Sequence, residues 1–177
     1  MILALDNINW WAGAGNADGH PIIADAVLSK DRRYRYTLSR TWDCEKGNAM
    51  FIGLNPSTAD ESENDPTIRR CMRFALEWGY GGIVVCNLFA FRATDPRAMK
   101  AATDPVGPLN DEMITTEARD AGLVIACWGN HGQFLSRSDD VRKFLSSMKC
   151  FGLTKRGEPK HPLYLRADTK LVELEDA

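Results

Sequence analysis

Asn55 and Asn87 each stand at the end of a short apolar run, AMFIGL and GIVVC, while Asn130 follows LVIACWG and His161 opens HPLYL. A carboxamide donates and accepts at once, and asparagine is one of the side chains that match a nucleobase edge with paired hydrogen bonds. Asparagine also caps turns, which would explain one such residue. Two at matching positions point to a site. A neutral imidazole at His161 can donate to a developing oxyanion, although a lone loop histidine is often solvent-exposed and inert. His131 carries the same ambiguity, and His20, beside Pro21, reads as structural. Ser57 as a nucleophile would need a positioned base. No GK[ST], GxGxxG or GxSxG string occurs, so the P-loop, dinucleotide and α/β-hydrolase fingerprints are missing.

Positive charge and aromatic rings accompany these positions. Arg69, Arg70 and Arg73 fall in the first turns of a helix expected after the Asn55 loop, where a helix N-terminus and guanidinium groups can clamp phosphate. A solvated helix face is the alternative. Arg92 and Arg166 lie in other loops of the same kind. Phe89, Trp128 and Tyr164 could stack on a base, or close the core.

The elements that must hold these residues follow from apolar patterning. Residues 1–23 are left unassigned, and 24–42 alternate apolar and polar residues as two antiparallel strands or one long bent one. A strand at 49–54 precedes a helix opened by Asp65 as N-cap and Pro66 at its first position. That helix carries Ile68, Cys71, Met72 and Ala75 at core spacing and stops at Gly79. Strands at 82–88, 123–129 and 149–153 alternate with helices at 109–121 and 138–148. Fully apolar strands alternating with helices indicate a parallel sheet buried on both faces. The expected fold is one three-layer α/β domain over 24–170, with a central, mostly parallel four-stranded sheet, an N-terminal antiparallel strand extension and a short tail at 171–177. Ligands in such folds bind beyond the carboxyl ends of the strands, where Asn55, Asn87, Trp128 and His161 fall.

Composition narrows the class. The chain is 44% hydrophobic and 26% charged, with net charge −2, which is ordinary for a globular protein and unlike one that coats DNA through bulk charge. No apolar run reaches the ~20 residues of a membrane span, and the first residues lack a basic signal-peptide region. Five cysteines without a CxxC pair read as reduced, cytoplasmic thiols. No metal or cofactor is expected.

Two resemblances rest on these strings. YRYTLSRTW, FIGLNPSTAD, NDPTIRRC, VVCNLFAFRATDP and CWGNHG resemble the bacterial and phage family catalogued as domain of unknown function 1643, over roughly residues 24 to 168. The order of the four loops also resembles the uracil-DNA glycosylase superfamily: Gly53-Leu54-Asn55-Pro56, then Asn87, then Trp128-Gly129, then His161-Pro162. That resemblance implies a glycosylase-like fold and a flipped base held at the sheet edge. It implies that Asn55 orients the attacking water, Asn87 reads the pyrimidine edge and His161 bonds the departing base. Leu163, Tyr164 or Leu165 would fill the gap in the duplex. The chain departs from the family in having Asn55 in place of aspartate, no serine after His161-Pro162, and Ser57 in place of a bulky tyrosine.

The expected function is therefore hydrolysis of the N-glycosidic bond of a non-standard or modified pyrimidine. Its partner would be DNA or a nucleotide, with no membrane. The alternatives are a non-catalytic nucleic-acid or nucleotide-binding module, and an enzyme acting on free nucleotides. Ser57 leaves room for a substituent at C5. Wild type should thus excise C5-substituted pyrimidines faster than uracil, and Ser57→Tyr should reverse that order in an oligonucleotide excision assay. A wild-type preference for plain uracil would sink this idea.

Overall fold

In the computed structural model, which describes residues 22–57, 59, 63–145 and 147–174, the strands are β1 (Ile23–Leu28), β2 (Arg35–Thr41), β3 (Asn48–Gly53), β4 (Gly82–Asn87), β5 (Leu123–Ala126), β6 (Lys149–Cys150) and β7 (Val172–Glu173). The helices are α1 (Pro66–Glu77), α2 (Pro96–Ala101), α3 (Asn110–Asp120) and α4 (Arg137–Phe144). All strands join one mixed sheet in the order β1-β2-β4-β3-β5-β6-β7. The expected four-stranded sheet is thus corrected to a seven-stranded one. Its centre, β4-β3-β5-β6, is parallel. β1 and β2 form the expected N-terminal antiparallel extension, which adds onto β4. β7, inside the segment expected as a tail, pairs antiparallel with β6. The expectations for residues 1–21 and 175–177, including His20, lie outside the described residues.

β3 and β4 have helices over both faces because both faces of each are apolar. Ala49, Phe51, Ile83 and Val85 meet Ile68, Cys71, Met72 and Ala75 of α1 in one core. Met50, Ile52, Val84 and Cys86 meet Met99 of α2, Ile114 of α3 and Val141 of α4 in the other. Alternation along each strand assigns successive residues to opposite layers. α1 begins where the sequence predicts: Asp65 accepts from the Ile68 N–H at 2.9 Å, and Pro66 occupies the first turn. The expected helix at 138–148 is shorter, and the long loop after β4 holds α2, with Asp95 as its N-cap.

A buried polar hub ties β4 to the second layer. Asn110 is fully buried, and its Nδ2 donates to the carbonyls of Asn87 (3.0 Å) and Leu88 (2.9 Å). Arg137 Nε adds a bond to the Leu88 carbonyl at 2.9 Å. The Asn110 Nδ2 and Arg137 Nε bonds hold the end of β4 in place, although Asn110 Oδ1 has no partner among the described residues; losing these donors would strand buried carbonyl acceptors. Asn110→Ala should therefore lower unfolding free energy by about 1–3 kcal/mol in urea melts. The exposed Asn130→Ala should change it by no more than about 0.5 kcal/mol. Equal effects would contradict the hub.

Candidate functional site

Strand order sets the place of the site. From β3 the chain crosses to β4 on one side through α1, then returns past β3 to β5 through α2 and α3. The loops leaving β3 and β4 diverge there, and open sheets of this kind form their binding crevice at that point. A cavity of about 330 Å³ lies at it, walled by Phe51, Leu54, Ile68, Val85 and Trp128 among others. An apolar cavity of this size with a few polar groups is the usual form of a small-molecule site.

The loops carry those polar groups into it. Asn55, Ser57, Asn87, Trp128, Asn130 and His161 all line this one cavity. Asn87 is buried, and among the described residues its Nδ2 has no hydrogen-bond partner. Gly53 makes room for it: a Cβ there would stand 2.8 Å from Asn87 Oδ1. A buried amide left without an acceptor costs free energy, and a ligand carbonyl would supply that acceptor. Asn55 is the opposite case. Its Nδ2 donates to the carbonyls of Ala93 (2.7 Å) and Pro56 (3.1 Å), so both amide protons are spent and Oδ1 is left to accept.

His161 N-caps a 3₁₀ turn, Pro162–Tyr164, with Nδ1 accepting from the Leu163 N–H at 3.4 Å. That bond puts the proton of the neutral ring on Nε2. Burial lowers the imidazole pKa below its ordinary value, and the Asp65 charge acts in the opposite direction. The neutral ring is therefore a hydrogen-bond donor at neutral pH. Trp128 is set by its indole N–H, which donates to the buried Glu158 carboxylate at 2.5 Å; Ser138 Oγ donates to the other oxygen at 3.1 Å. Gly132 lies against the indole, where a Cβ would come within 2.2 Å of the ring.

Other expected residues lie elsewhere. Phe89 is fully buried in the second core, 5.7 Å from the Phe134 ring, and does not reach the cavity. Arg69 donates to the Asn64 carbonyl, and Arg70 donates to the Leu165 carbonyl while lying over Phe74. Arg73 pairs with Glu77 at 3.2 Å, and Arg166 with Asp168 at 3.0 Å. Arg92 donates to the Arg32 carbonyl at 3.4 Å. Leu163 and Tyr164 lie beside His161 outside the cavity wall, and Tyr164 is 89% exposed.

The cavity also holds Arg35, Asp65, Thr67, Cys71 and Cys127, which the sequence did not single out for a site, and His131, which it left ambiguous. Asp65 was legible as a helix cap and the cysteines as core. Burial pushes both thiols up, Cys127 to about 12, so they are protonated and act as apolar wall. Among the described residues no group of three or more His, Cys, Asp or Glu side chains is placed to hold a metal ion. No helix there is long and apolar enough to cross a membrane.

A family model described as a protein of unknown function, DUF1643, matches residues 35–163. No curated protein and no solved structure matches the chain. The expected glycosylase-like character therefore rests on the four loops alone.

The His161 geometry generates a pH test. Its folded pKa is depressed, so the unfolded state takes up a proton first, and stability falls as pH drops through the unfolded value of about 6.5. His161→Asn keeps a capping acceptor and removes the titration. Wild type should lose stability relative to His161→Asn between pH 7.5 and 5 in denaturant melts. A difference independent of pH would show that the ring is not held neutral.

Proposed function

Because the chain belongs to the DUF1643 family, whose description carries no activity, we propose from the cavity itself that this protein binds a pyrimidine base there and hydrolyses its N-glycosidic bond. The base would be a non-standard or modified one in DNA. One observation carries the reading: the enclosed Asn87 amide, whose Nδ2 has no partner and whose backbone is fixed by Asn110. An amide held this way accepts and donates toward one ligand edge, which is the pattern that a pyrimidine with a ring carbonyl and ring N–H completes.

The other groups fall into roles around that edge. His161 Nε2–H would donate to the carbonyl oxygen on which negative charge develops as the base leaves. Asn55 Oδ1, with its amide protons already spent, would orient water and face the cationic sugar. Phe51, Leu54 and Trp128 would give the ring its apolar contact. Tyr164, exposed beside His161, would fill the space left by a flipped nucleotide. The order of the four loops, which resembles that of the uracil-DNA glycosylases, supports the same assignment.

A second reading has its own observation. Arg70, Arg73 and Arg166 are engaged with the Leu165 carbonyl, Glu77 and Asp168. A surface whose guanidinium groups are already occupied neutralises fewer phosphates, and phosphate neutralisation drives affinity for DNA. That favours a free nucleoside or nucleotide as the ligand of the same cavity.

An excision screen on oligonucleotides carrying uracil, thymine mismatches, hypoxanthine and C5-modified pyrimidines, followed by alkali, tests the first reading. Strand breaks at a pyrimidine should fall at least about a hundredfold in His161→Ala, as expected for loss of an oxyanion donor. Breaks that persist unchanged would remove His161 from the chemistry. If no base is released, while mononucleosides raise the melting temperature of wild type but not of Asn87→Ala, the second reading takes over.

A further inference from the structure

Arg35 is 2% exposed, yet it lines the cavity. A β-bulge aims it there. β1 and β2 pair Val27 with Thr37 and Leu28 with Arg35, so the register shifts and Tyr36 is the extra residue. Beyond a bulge the alternation of side chains inverts. Leu38 faces the α1 core, and the inversion brings Arg35 to that same face of the sheet. Bulges that re-aim a side chain occur next to binding sites.

The guanidinium is short of partners. NH1 donates to the Ala59 carbonyl, whereas Nε is enclosed and has no hydrogen-bond partner among the described residues. Among the described residues, the charges near it are of both signs. Asp65 acts on Arg35 as an opposite charge, while Arg40 and Arg92 act as like charges, and burial pushes its pKa down to about 10. Arg92 Nε is likewise enclosed without a partner. A guanidinium with a pKa of about 10 is still charged at neutral pH. A buried cation with an unpaired donor, near one opposite and two like charges, is stabilised by an anion that pairs with it.

We propose that the Arg35 end of the cavity is an anion subsite that takes an ionised oxygen group of the ligand, a carboxylate on the base or the phosphate of a nucleotide. This deepens the pyrimidine reading and rests on it for the rest of the ligand. The cavity then has two ends with separate tasks. Asn87 and His161 recognise the ring, and Arg35 selects ligands by charge. Asp65, also on the wall, offsets part of the Arg35 charge.

Calorimetry on the full chain tests this with uracil, 5-carboxyuracil, deoxyuridine, deoxyuridine 5′-monophosphate and inorganic phosphate. In wild type, at least one anionic pyrimidine should bind about tenfold or more tighter than its neutral parent, and which one does so separates carboxylate from phosphate. In Arg35→Gln that ratio should fall below about twofold. Neutral and anionic pyrimidines binding equally in wild type would overturn the subsite and leave the pyrimidine reading intact. Inorganic phosphate binding to wild type but not to Arg35→Gln, with no pyrimidine bound, would support the subsite and remove the pyrimidine reading. No anion binding at all would overturn the proposal. If Arg35→Gln does not fold, the wild-type ratio of anionic to neutral affinities decides alone.

Discussion

A crossover from β3 to β4 carries α1 over one face of the sheet, and the crossover from β4 back to β5 carries α2 and α3 over the other. Parallel crossovers keep one hand, so a reversal in strand order forces the helices onto opposite faces. Above the end of β3 the two connections part, and that gap is the cavity. The apolar content of both faces of β3 and β4 allows this arrangement, since a strand with one polar face would not accept helices on both sides. The position of the site is thus a consequence of burial and winding direction before any polar residue is considered.

At that gap some polar atoms are left without partners while several of their neighbours are fixed by hydrogen bonds. The Asn87 carbonyl is bound by Asn110, its side chain fits against the bare Cα of Gly53, and its Nδ2 has no partner among the described residues. Asn55 has spent its donors and keeps an acceptor. Trp128 is pinned by a buried carboxylate and a glycine contact. Such preorganisation reduces the ordering that binding would otherwise cost, and it gives each open atom a defined hydrogen-bonding sense. Open buried donors cost stability, and sites of function are where such a cost is found.

Much of this arrangement was legible in the sequence because it depends on local signals. Apolar runs marked β3, β4 and β5, Asp65-Pro66 marked the start of α1, and asparagines at strand ends marked the loops that line the cavity. What was not legible depends on distant pairing. The bulge at Tyr36 shows only once β1 and β2 are in register, so simple alternation hides the direction of Arg35. β6 and β7 are two residues each, too short for a periodic signal. Phe89 follows Asn87 by two positions, but the strand has ended and the chain turns the ring into the opposite core. Arginines near the loops read as a clamp because their partners, a carbonyl at Leu165 for Arg70 and a carboxylate at Asp168 for Arg166, depend on how the last loop folds.

The central claim is that the open Asn87 amide meets a pyrimidine carbonyl inside the cavity. A crystal structure of the protein with a bound pyrimidine deoxynucleoside tests it most directly. A ring carbonyl oxygen should lie within about 3.2 Å of Asn87 Nδ2, with the base edge between Asn87 and His161. A nucleoside bound elsewhere, or one in the cavity with the Asn87 amide turned away from it, would contradict it.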